Sequence, residues 1–250
     1  MEAFFFGPND QQVFAIYHPP VQGGSEMLTV ICPPLFLDYM RTQLALRELA
    51  ISLAEKGQHV IRFDYRGTGD SFGDLSEITI SDWVQDITMS VREGCELTGC
   101  SVVRLLGVRA GALLACAAAG AWSDVQRVVL WDPVPDGTSY LHELHRIQER
   151  LCDRNNYLSR AERGEAIQEY AGFRISSHMV EEFHLLDASA YSRIPKSKLH
   201  VVSTSPKCDF PVPGVPQDVA PFKCYWDTLA NEVIIPRPVL ERLISCMTIS

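Results

Sequence analysis

Apolar and polar positions along this chain switch between two periods. EAFFF and VFAIYH read as short β-strands joined by the turn GPND, and MLTVIC as a third strand closed by Pro33 and Pro34. In RTQLALRELAISLAEKG the period changes. Leu44, Leu46, Leu49 and Leu53 follow helical spacing, and Gly57 reads as the C-cap. HVIRFDY returns to the strand pattern and leads into the glycine-rich loop RGTGDSFGD. ISDWVQDITMSVREGCEL then predicts a helix, with Ser81 as its N-cap. VVRLLGV and VQRVVLWDP are unbroken apolar runs, as expected of strands buried on both faces of a parallel sheet. Between them AGALLACAAAGA is small and apolar almost throughout, a helix suited to close packing on that sheet.

Beyond Asp136 the pattern changes again. Residues 138–193 show no strand-like run but several charged helical stretches, among them SYLHELHRIQERL and AERGEAIQEYAGF. They predict a helical cap over 138–193, inserted into an α/β core of residues 1–137 and 194–250. LHVVST and PFKCYW read as the resumed strands, and RPVLERLISCM as a closing helix. Strands alternating with crossover helices predict a mostly parallel, doubly wound sheet.

Composition narrows the function classes. A chain of 250 residues, 46% hydrophobic and 21% charged, is ordinary for a globular protein with a substantial core. A net charge of -9 argues against a nucleic-acid partner, which calls for a basic patch. The eight cysteines include no C-x-x-C pair, and Cys32, Cys116 and Cys224 lie in apolar runs, a usage that predicts reduced thiols and a cytoplasmic protein. MEAFFFGPND has no basic n-region, and no apolar stretch reaches the roughly 20 residues that span a membrane. Neither a cofactor motif nor a metal-ligand pattern stands out. His142 and His145 share a helix face but lack a third partner, which favours a wet face over a metal site.

The stretch LLGVRAGALLA raises the chemical question. A buried strand runs into G-x-x-x-G and then a helix, the shape of the nucleophile elbow G-x-S-x-G, yet Arg109 holds the serine position. Together with VICPPLF, RFDYRGTGDSFGD and WDPVPDG, it makes nearly the whole chain resemble the α/β-hydrolase fold. The chain is most similar to serine-aminopeptidase-like hydrolases with a helical cap, in a subgroup found near bacterial exopolysaccharide (exosortase) and natural-product genes. That resemblance implies a Ser-His-Asp triad, and two of its members are missing. Arginine stays protonated and offers no acceptor, so it is neither nucleophile nor base. No histidine follows His200, where the family carries its catalytic imidazole.

The resemblance carries over the family's acid to Asp209, and an oxyanion hole to the backbone N–H groups of Ala110 and of Leu35 or Phe36. A cation at a helix start is opposed by the helix dipole by about 0.3–1 kcal/mol, so Arg109 calls for a carboxylate or a bound anion. Asp209 is the first candidate partner, then Asp132 and Asp38. Paired in this way Arg109 plugs the site; unpaired, it forms a receptor for a carboxylate or phosphate.

Ser71 is the alternative nucleophile, although a loop role outweighs it, with Asp64 and Arg66 bracing the same loop. Cys32 reads as buried packing. His142, His145, His178 and His184 lie in the cap, from which one could overhang the pocket. The leading reading is a hydrolase-fold protein without the triad, a non-hydrolytic ligand-binding or accessory protein in a biosynthetic pathway. Its ligand would be a small acyl or carboxylate molecule, and a protein partner or self-association is open to it. The alternative is an enzyme, either a cyclase, lyase or acyl-transfer catalyst centred on Arg109 or an ester or thioester hydrolase with a displaced nucleophile.

Overall fold

A computed structural model describes residues 1–21, 23–24, 26–120, 122, 125–154, 169–206, 210–224, 226 and 233–249. Its core is an eight-stranded sheet. The strands are β1 (Glu2–Phe6), β2 (Val13–His18), β3 (Met27–Cys32), β4 (His59–Phe63), β5 (Val102–Val108), β6 (Val125–Trp131), β9 (Leu199–Ser203) and β10 (Gln217–Val219). Their order across the sheet is β1-β2-β4-β3-β5-β6-β9-β10. β1 and β2 pair antiparallel, β2 pairs antiparallel with β4, and every later pairing is parallel. This is the α/β-hydrolase fold. The central strands are buried on both faces, which accounts for the unbroken apolar runs of β3, β5 and β6.

Helices cover the two faces. α1 (Phe36–Glu55) and the C-terminal α7 (Arg237–Thr248) enclose one apolar core with Leu46, Leu49, Trp131 and Leu243. α2 (Ile80–Thr98) and α3 (Ala110–Ala119) enclose the other, which continues under the insertion formed by α4 (Gly137–Arg154), α5 (Ser177–Leu185) and the short α6 (Ser189–Ser192).

Three sequence expectations are revised. The N-cap of α2 is Thr79, not Ser81. Thr79 accepts from the backbone N–H of Asp82 at 3.1 Å and its own N–H donates to that carboxylate at 3.0 Å, so the T-x-x-D pair closes a capping box. Ser81 lies inside the helix and donates to Glu182 at 2.8 Å. The last strand is Gln217–Val219. PFKCYW forms no strand at its described residues, because Pro216 and Pro221 flank β10 and confine it to three edge positions. Within the insertion, the stretch expected to be helical ends in a hairpin, β7 (Glu169–Tyr170) against β8 (Phe173–Arg174). Ala171 and Gly172 turn it at φ of 51° and 88°, the left-handed pair of a tight hairpin, and two-residue strands are too short to show alternation. Residues 161–168 of that same stretch lie outside the described residues.

Candidate functional site

The turn between β5 and α3 is shaped by its two glycines. A Cβ on Gly107 would come within 2.5 Å of Ala112 Cα, and one on Gly111 within 2.2 Å of the Pro33 carbonyl oxygen. The spacing in G-V-R-A-G therefore lets helix and strand meet and brings the start of α3 against the loop after β3. Arg109 occupies the bend at φ 53° and ψ -123°, a strained conformation for a side chain other than glycine. Phe36 after β3 (φ 53°) and Asp132 after β6 (φ 42°) are also left-handed. Three such residues stand at the C-terminal ends of three neighbouring strands, where α/β sheets place ligands.

Arg109 is nearly buried and held from two sides. Its Nε donates to Asp38 Oδ2 at 3.4 Å, and its Nη2 donates to Glu143 Oε1 in a close ion pair. The guanidinium carbon lies 5.1 Å from the centroid of the Trp226 ring, a cation–π contact. Asp38 comes from α1 and Glu143 from α4, so one cation joins the sheet, a core helix and the insertion. Burial disfavours the charge of Arg109, but Asp38 and Glu143 more than offset it and keep the guanidinium protonated. The Asp38 carboxyl is pushed up to about 6, because burial and the nearby Glu143 outweigh the attraction of Arg109. Tyr140 from α4 donates to the Leu35 carbonyl at 3.2 Å and lies 3.4 Å from Asp38 Oδ2, which extends the network into the loop after β3.

Asp132, a sequence candidate for partnering Arg109, is committed elsewhere. Its carboxylate accepts from the Thr204 N–H and hydroxyl, both at 2.7 Å, and from Trp226 Nε1 at 2.9 Å. Asp209 lies outside the described residues. Of the three carboxylates proposed from sequence, Asp38 is the one seen against Arg109. Glu143 was missed as a partner. Its signal was present, since Tyr140 and Glu143 stand at i, i+3 on the helix face that also buries Leu144 and Ile147.

Two cavities flank this network. One is an open cleft of about 700 Å³ lined by Arg109, Asp132, Ser203, Thr204, Cys224 and Trp226 among others. The second, of about 350 Å³, is lined by Leu35 and Phe36 and contains no part of Arg109. Of the backbone positions expected to form an oxyanion hole, Leu35 and Phe36 line the second cavity and Ala110 lines neither. Ala110 and Phe36 are each the first residue of a helix, so their N–H groups have no intrahelical partner. Ala110 is itself fully buried.

The other candidates make no contact with Arg109 among the described residues. The Ser71 hydroxyl accepts from the Phe14 N–H at 2.8 Å and donates to the Asp64 carbonyl at 2.6 Å, which ties the loop to β2 and β4. Arg66 pairs with Asp86 at 2.6 Å and with Asp82 at 3.3 Å. Cys32 is buried, and burial pushes its thiol far above the ordinary range. His142 is exposed on α4 and lines neither cavity. His145, His178 and His184 are exposed too, with Glu149, Glu181 and Thr138 beside them. In the cleft, the Cys224 thiol is pushed up to about 12 by burial and by Asp132, so it stays protonated.

Among the described residues, one group has metal-ligand spacing: His200, Asp218 and Cys246 at the sheet edge. There the Asp218 carboxylate already accepts from His200 at 2.9 Å, and Arg242 approaches it to 3.9 Å.

The comparisons agree with the architecture. Alpha/beta hydrolase domain-containing protein 10 from mouse matches with 18% identity over 99% of this chain and 97% of its own, at a TM-score of 0.55. XC6422 from Xanthomonas campestris, a serine hydrolase without a lid, matches with 14% identity over 98% and 94%, at 0.58. The α/β hydrolase GrgF from Penicillium sp. sh18 matches with 18% identity over 81% and 79%, at 0.60. At these identities the likeness is one of fold. Neither family models nor curated protein sequences contain a match to this chain. No helix among the described residues is long and apolar enough to cross a membrane.

Proposed function

We propose that this chain uses the α/β-hydrolase fold without a serine triad, as a non-hydrolytic ligand-binding or accessory protein in a biosynthetic pathway. The observation that carries the reading is the lock on Arg109. Triad hydrolysis needs a hydroxyl or thiolate at this bend with a base beside it. Here the bend presents a cation held by Asp38 and Glu143, and no imidazole lines the adjoining cleft among the described residues. With two carboxylates already on the guanidinium, Arg109 acts as a plug and not as an anion receptor. A small acyl compound would sit in the cleft against its lining residues, Trp226 among them. The pathway role rests on the sequence resemblance alone.

The test is turnover of a panel of p-nitrophenyl esters and acyl thioesters by wild type and Arg109→Ala, with a fluorophosphonate label on both. No turnover and no label on either protein is the expected result. Activity present in wild type and lost in a folded Arg109→Ala variant would establish an arginine-centred enzyme instead. A covalent adduct would establish a displaced nucleophile.

A further inference from the structure

The second cavity is built differently from the cleft beside Arg109. It lies between the start of α1, the loop after β4, the start of α2 and the hairpin strand β8. Rings from Phe36, Tyr39, Tyr65, Trp83 and Phe173 form much of its wall, and among the described residues no charged side chain lines it. The rings already interact with one another: Phe36 lies 5.9 Å from Trp83 and 5.3 Å from Phe173, and Tyr65 lies 5.6 Å from Trp83, in tilted or edge-on arrangements.

Protein interiors are close-packed, so a space of about 350 Å³ within such a cluster is not an ordinary packing gap. It falls in the size range of small-molecule sites, which are mainly apolar and aromatic with few polar groups. The hydroxyls in its wall are mostly committed. Tyr39 donates to Asp64, and Thr68 donates to the Tyr65 carbonyl at 2.7 Å. Among the described residues, the buried Tyr65 hydroxyl has no hydrogen-bond partner.

The walls are also preformed. Gly67 turns the loop at φ 73°, where a Cβ would strike Leu75 and Ile78 at 2.9 and 2.8 Å, and the buried Arg66–Asp86 pair anchors the same loop. Met40 at the edge is 63% exposed, so the mobile part of the lining is a flexible thioether facing solvent.

We propose that this chamber is a second ligand site, one that takes a small uncharged molecule built around an aromatic ring. The rings supply edge and face contacts for such a ligand. The lack of a countercharge would leave an ionised one desolvated and unpaired. The site shares no lining residue with the Arg109 cleft, so it stands whether or not that cleft binds anything.

The experiment is fluorescence titration of the intact protein with neutral N-phenyl-1-naphthylamine and with its sulfonated analogue 8-anilinonaphthalene-1-sulfonate. Wild type should bind the neutral probe with a micromolar Kd and the sulfonate at least tenfold more weakly. Leu75→Trp and Met40→Trp, which fill the chamber from two different elements, should each weaken the neutral probe at least tenfold. Lys223→Ala, in the other cleft, should change it less than twofold. Melting curves identify which filled variants are folded, and the exposed position of Met40 makes its substitution the safer one. Failure of the neutral probe to bind would overturn the proposal. So would binding unchanged in a folded filled variant, or equal affinity for the two probes.

Discussion

Two buried arginines near the C-terminal edge of the sheet solve the same electrostatic problem for different ends. Arg66 and Arg109 are each almost inaccessible to solvent, and each is matched by two carboxylates. The partners of Arg66, Asp82 and Asp86, both come from α2, and its Nη2 adds bonds to the Asp82 carbonyl and the Gln85 side chain. It staples one loop to one helix. Asp38 and Glu143 reach Arg109 from α1 and α4, so this cation ties together segments far apart in the chain, one of them in the insertion. Arg109 also stands in a strained bend and forms part of a cleft wall, whereas Arg66 does neither. A buried ion pair therefore says little about function by itself; its backbone conformation and the cavity beside it carry the distinction.

The comparison can be broken by removing each cation in turn. Arg66→Ala strips the countercharge from fully buried Asp86, so a loss of about 3–5 kcal/mol is expected in urea unfolding. Arg109→Met leaves buried Asp38 without its countercharge in the same way but can keep an apolar stem against Trp226, so a slightly smaller loss of about 2–4 kcal/mol is expected. If Arg109→Met proves the more damaging, the insertion is held on mainly by this one cation.

An effect of similar size tests how Asp38 is held. Its folded carboxyl titrates at about 6 against an ordinary value near 3.8, so between those values the folded state holds more protons than the unfolded chain. The stability it contributes must then fall as pH rises from about 4 to 6. Relative to Asp38→Asn, wild type should lose about 2–3 kcal/mol between pH 4 and 7, read as a changing difference in Tm. A constant difference would mean that Asp38 is ionised throughout and that Arg109 dominates it. Least costly is Ser71→Ala. It removes two loop hydrogen bonds and should destabilise by about 1 kcal/mol, with any turnover or labelling unchanged.

Much of the architecture was legible because it rests on local regularities. The unbroken apolar runs marked β3, β5 and β6, and G-V-R-A-G marked the bend, since its glycines answer steric demands visible in the motif itself. Shorter elements left weaker traces. β10 spans three residues between prolines, and the β7–β8 hairpin has two-residue strands. The network around Arg109 was legible only in part, for a physical reason. The charge at a helix start called for a carboxylate, which restricted the type of partner but not its identity. Which carboxylate answers depends on how α4 lies across the core, and no local pattern encodes that.

The left-handed backbone at Phe36, Arg109 and Asp132 has a consequence for engineering. Each such residue costs on the order of 1–3 kcal/mol to hold, and that cost is already met by the surrounding fold. A designer seeking to install catalysis at position 109 would inherit a bend that no longer has to be shaped. The remaining work lies in side chains: a nucleophile in place of the guanidinium, a base within its reach, and neutral groups where Asp38 and Glu143 now stand.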